Sequence, residues 1–180
     1  METNLFTERS LWTMVHGIVL SGAALMALAA AIYSLRMLYA GKASEQVTNI
    51  QARYMVILTV FMSIMLWLTV LVGTYISFPA YRAVPPEGLI DLSMYPKAML
   101  QANEATVWLH SFAMETKEHV PWIASILATA VAYISMSYRS LMISDTNLNK
   151  LATWLLGICL VLVSYAALLG VFVNKVAPLD

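Results

Sequence analysis

Three histidines, His16, His110 and His119, are the side chains of this sequence best suited to chemistry near neutral pH. His16 lies about a turn and a half inside an uncharged apolar run, and the other two fall on the same side of the membrane as His16 once the apolar runs are threaded through a bilayer. Arg82, Glu115, Lys117 and Glu118 collect at that same end. An imidazole in lipid is costly unless it faces other helices and has a partner, so His16 is by default a candidate functional group. The plain alternative is an interfacial ring bonded to a neighbouring carbonyl or water, in a region where any membrane protein gathers polar residues.

Helical geometry limits what these residues can do together. On a straight α-helix, with roughly 100° between residues, His110 and His119 lie on opposite faces, whereas Glu115 and His119 share a face, as do His110, Met114 and Lys117. A ligand from this segment must therefore pair with His16. Two imidazoles from different helices are how membrane bundles hold a b-type haem, here His16 with His119, or with His110 in its place. Gly17, Ser21, Gly22, Ala24 and Gly73 leave room for a ring, and Arg82 and Lys117 suit its propionates.

A competing metal reading uses sulfur: Met14 with His16, and His110 with Met114, suit copper. Glu115, Glu118 and His119 suit iron or another hard ion, although the Glu-x-x-His spacing of di-iron bundles is absent. A third reading has no cofactor, only histidines satisfied by hydrogen bonds. There is no CxxCH for covalent haem, no Ser-His-Asp order, no phosphate-binding glycine loop and no HExxH. The chain reads as an electron-transfer or structural subunit without independent catalysis. Four spans without an inverted repeat or buried acids offer no path for a transported substrate.

The elements that must position these groups are membrane helices. Of the 180 residues, 61% are hydrophobic and 11% charged, and mean hydropathy is +0.75; soluble domains carry about 25% charged residues. Ten basic and ten acidic residues cancel, which with no basic stripe excludes nucleic acid as a partner. Uncharged runs predict an all-α, integral membrane four-helix bundle in one domain. The helices are expected at about 11–35, 54–78, 105–138 and 148–173, with a break possible near 119–121, where Pro121 could open a new helix. Pro79, Pro85, Pro86 and Pro96 mark a long external loop between helices two and three, expected to pack over the mouth of the bundle. The first run is about twice as long as a signal-peptide core, so it reads as a retained helix. Cys159, the single cysteine, sits in an apolar run and reads as a small packing residue.

The segments Trp108–Trp122, Tyr75–Arg82 and Asn174–Pro178 resemble those of a group of small uncharacterised bacterial four-helix membrane proteins. In architecture the chain is also similar to the b-type cytochrome anchor subunits of respiratory complexes, while lacking a histidine in helix two or four. The likeness implies one haem near the external face, other subunits as partners beside the lipid bilayer, contact with quinone, and a place in the bacterial inner membrane. A non-catalytic scaffold or assembly subunit is the alternative.

Orientation follows from flanking charge. Arg36, Lys42, Arg53, Arg139 and Lys150 crowd the two short connections, which marks that side as cytoplasmic and leaves both termini external. A cysteine introduced at Gly88 should react with an impermeant thiol reagent on intact cells, and those at Ala43 and Ser140 should be shielded. The reverse pattern would invert the topology.

Overall fold

The computed structural model describes residues 7–39 and 45–178, with side chains from Thr7 to Met37 and from Asn49 to Pro178. Lys42, whose charge enters the orientation argument, lies outside the described residues, as does the side chain of Glu45. The described chain is helical without strands. Four helices are long and apolar enough to cross a membrane: Glu8–Met37, Asn49–Tyr81, Leu109–Ser137 and Thr146–Val176. This fits a multi-pass membrane protein.

The first, second and fourth helices outrun the uncharged stretches that announce them, because backbone hydrogen bonding continues past the hydrocarbon boundary while apolarity does not, and the third falls within its expected range. The first begins where the Thr7 hydroxyl accepts the Ser10 N–H, with Glu8 in its first turn. The fourth begins at Asp145, whose carboxylate accepts the N–H groups of Asn147 and Leu148. The third runs unbroken from Leu109 to Ser137 with Pro121 inside it.

The first helix packs on the second and fourth, and the third on the second and fourth. The facing surfaces are built from small residues. Ala24, Ala31, Ala124, Ala128, Ala152 and Cys159 are fully buried, and large side chains such as Leu28, Met62 and Leu156 fill the gaps. Ile18 (69% exposed), Trp154 (73%) and Val161 (67%) point outward instead. Alanine inside and isoleucine outside is the distribution expected where the surroundings are as apolar as the interior and close backbone approach holds helices together. Cys159 has the packing role, its thiol donating to the Ala124 carbonyl at 3.6 Å.

Polar clasps hold the pairs in register. Trp67 Nε1–H donates to Thr129 Oγ1 at 2.9 Å, and the Ser63 hydroxyl meets the same oxygen at 3.1 Å. Trp67 also stands edge-on to Trp122. Away from the histidines, buried Asn149 donates to the carbonyls of Leu35 and Met142. Between the second and third long helices, a short helix at Pro96–Gln101 buries Leu100 against Tyr81, Leu109, Ala113 and Met114. Arg9 reaches the carbonyl of Met94 in the same connection.

Replacing Ala128 by Leu inserts three carbons where two helices touch and should destabilise the protein by about 1–3 kcal/mol. Replacing outward-facing Ile126 by Leu should change little. Thermal unfolding in detergent distinguishes them, and equal midpoints for the two variants would refute the small-residue interface.

Candidate functional site

Three of the four long helices widen into π-helical turns, and all three turns lie at the end that holds the histidines: Val15–Leu20, Gly73–Ser77 and Leu109–Met114. Such turns insert an extra residue into the helix and are frequent at functional sites. In the first, the His16 carbonyl takes both the N–H of Ser21, five residues on, and its hydroxyl at 2.8 Å. In the second, the Phe78 N–H reaches back five residues to the Gly73 carbonyl.

These turns decide where the imidazoles point. The His16 ring crosses to the second helix, where its Nδ1–H donates to the Thr69 carbonyl at 2.9 Å. The bond selects the tautomer with the proton on Nδ1, leaving the Nε2 lone pair unshared. The ring lies directly on the backbone of Gly73, since a Cβ there would stand 2.7 Å from His16 Cε1. Only glycine permits this approach.

Lys117 stands close enough to His16 for their charges to interact, and part of its side chain remains accessible. Its Nζ rests against Gly170 of the fourth helix, 2.8 Å from where a Cβ would be. Among the described residues the amine has neither an ion-pair nor a hydrogen-bond partner. Lys117 is eight residues inside its helix, as His16 is inside the first; at about 1.5 Å per residue both sit about 12 Å from their helix ends. Four residues beyond Lys117 stands Pro121, which has no N–H to offer the Lys117 carbonyl. Ser77, one turn outward from Gly73, has a buried hydroxyl without a partner.

The other expected residues go elsewhere. His119 is exposed, its Nδ1–H donating to the Glu115 carbonyl at 2.7 Å. Being two residues, or about 200°, from inward-facing Lys117, it points away from His16. His110 does not share a face with Lys117 as a straight helix would require, because the wide turn Leu109–Met114 intervenes. Its Nδ1 shares a hydrogen with the Tyr81 hydroxyl at 2.9 Å. Tyr81 is buried and stacks on Phe78, whose other contact is the Arg82 guanidinium, 4.9 Å from the ring centre. Glu115, Glu118 and Lys97 stand close enough to interact by charge with this group. Met114 is buried with Leu169 and Val173, and Met14 is partly exposed.

The chain thus brings His16 to Thr69 and Gly73, Lys117 to Gly170, and Tyr81 to His110, but not His16 to either other histidine. Among the described residues no three of His, Cys, Asp or Glu gather as a metal site. Thr69, Tyr81 and Gly170 were not visible in the sequence. Gly170, a glycine inside an apolar run, carried the only signal, and a weak one. No protein-family model, no curated protein and no solved structure matches the chain.

The two glycine contacts differ in what must yield. Gly73→Ala meets a rigid ring tethered to Thr69 and should cost about 2 kcal/mol, whereas Gly170→Ala meets the flexible end of a lysine and should be nearly silent. Thermal unfolding of both variants checks this, and equal losses would remove the ring from Gly73.

Proposed function

We propose that the chain is a small subunit of a bacterial inner-membrane electron-transfer complex, a four-helix bundle with both termini and the 79–104 loop outside, linking a partner protein to the quinone pool. The observation that supports this reading is that His16, bonded across to the Thr69 carbonyl, and Lys117, resting on Gly170, both lie eight residues inside apolar helices. An amine without a counter-charge among apolar helices costs several kcal/mol and is not retained for packing alone. A lone acceptor nitrogen and a donor amine at one depth are what a membrane-dissolved redox ligand needs.

A second reading, a b-type haem, is favoured by the His16 tautomer. An Nδ1–H held by a carbonyl leaves Nε2 of His16 as the nitrogen that would hold the iron, and Lys117 would suit a propionate. Bound there, haem would supply one-electron transfer. A bis-imidazole centre fits less well, since neither His110 nor His119 faces His16.

The test is isolation of the tagged chain from native membranes in mild detergent. It should migrate with redox-active partner proteins, and its removal should lower quinol-dependent electron transfer in membrane vesicles by roughly tenfold. A chain that migrates alone and whose loss leaves that rate unchanged would sink the proposal.

A further inference from the structure

At the end of the molecule opposite the histidines, a narrow cleft lies between the second and third helices. Ala52, Met55 and Val56 line it from the second helix, Ser135 and Arg139 from the end of the third, and Met142 from the connection that follows. Ser135 is 1% exposed, and among the described residues its hydroxyl has no hydrogen-bond partner. Its neighbours on the same helix behave differently. The hydroxyls of Ser125 and Thr129 donate to the carbonyls of Pro121 and Ser125, four residues back, at 2.9 and 2.8 Å. A buried hydroxyl that forgoes this bond is costly and calls for a partner that the chain itself does not supply.

One turn beyond Ser135, Arg139 stands exposed at the rim of the cleft, where one of its five N–H groups donates to the Asn49 carbonyl at 3.3 Å. Arg36, Arg53 and Lys150 are exposed at the same end, close to the ends of the first, second and fourth helices. Asp145, the acid of this end whose side chain is described, is engaged in capping the fourth helix. The described side chains here therefore present an excess of positive charge.

Depth and wall chemistry select the guest. The third helix ends at Ser137, which puts Ser135 about 3 Å inside it. Helices of 29–33 residues exceed the ~20 that cross the hydrocarbon, so their ends stand among lipid headgroups. The anionic group at that level is a phosphodiester, whose oxygens match a guanidinium fork and accept from a hydroxyl. The alanine, valine and methionine walls suit the carbons attached to it, and a free phosphate has none to offer. A zwitterionic lipid brings a second cation to a surface that is already positive. Met55 and Met142 are buried in the cleft, and their unbranched side chains can repack around a guest at little cost.

We infer that this cleft binds the headgroup of an anionic phospholipid, a phosphate oxygen accepting from the Arg139 guanidinium and a phosphate or ester oxygen accepting from the Ser135 hydroxyl. The site lies away from His16 and Lys117 and does not depend on the electron-transfer reading.

The test titrates the purified full chain in mild detergent with dioctanoyl phosphatidylglycerol, dioctanoyl phosphatidylcholine or inorganic phosphate and follows the unfolding temperature. Phosphatidylglycerol should raise it to a plateau, and the other two should act only at concentrations roughly tenfold higher or more. Arg139→Gln should weaken phosphatidylglycerol by about tenfold, Arg139→Lys should recover part of that loss, and Arg36→Gln, which removes the same charge from the first helix, should change it by less than about twofold. Ser135→Ala should raise the unfolding temperature of the lipid-free protein, because an unsatisfied buried group is gone, while weakening the lipid by about fivefold. A hydroxyl with a structural role alone would show the first effect without the second. Equal stabilisation by phosphatidylcholine, equal stabilisation by inorganic phosphate, equal losses from Arg139→Gln and Arg36→Gln, or unchanged lipid affinity in Ser135→Ala would each overturn the inference.

Discussion

Close contact between helix backbones is the constraint on which everything else in this structure rests. In an apolar solvent no hydrophobic force pushes helices together, and what holds them is dispersion and a few hydrogen bonds, both of which decay steeply with distance. Ala24, Ala31, Ala124, Ala128 and Ala152 allow the approach along the length of the molecule. At the histidine end it is taken to its limit, with Gly73 under the ring of His16 and Gly170 under the amine of Lys117. A side chain at Gly73 would separate the first two helices where the imidazole bridges them.

Backbone irregularity does the complementary work. A regular α-helix satisfies all of its interior carbonyls and leaves nothing for a neighbour. The widened turns at Val15–Leu20, Gly73–Ser77 and Leu109–Met114 and the proline at 121 break that closure within one end of the molecule. One consequence is visible: Thr69, just before the second wide turn, lends its carbonyl to His16. The fourth helix has no such turn and keeps regular geometry from Thr146 to Val176. It acts as the wall against which Lys117 rests.

Two polar groups result, at different depths. The outer one, Tyr81 with His110, is satisfied internally and is surrounded by both signs of charge from Arg82, Lys97, Glu115 and Glu118. Leu100 of the short helix closes over it. The inner groups, His16 and Lys117, have among the described residues an amine with no acceptor and an Nε2 with no donor. Internally complete networks rigidify, and incomplete ones call for something from outside. That contrast is why the inner group carries the functional proposal.

Charge-free runs were enough to reveal helices, their number and their approximate centres, because the composition needed to enter lipid is local in the chain. The polar end, His16 within a span and the usefulness of Gly73 were legible for the same reason. The ends of the first, second and fourth helices were underestimated, since the hydrogen-bonded ladder runs past the apolar stretch, while the third, expected at about 105–138, spans Leu109–Ser137. Pairing of side chains was not legible: the sequence argument joined His16 to His119 or His110 by assuming straight α-helices of about 100° per residue. The wide turn Leu109–Met114 intervenes between His110, which meets Tyr81, and Lys117, which rests on Gly170. Rotational phase along a helix depends on where its turns widen, and these widen where neighbouring backbones and side chains compete for their carbonyls. That competition exists only once the helices have packed.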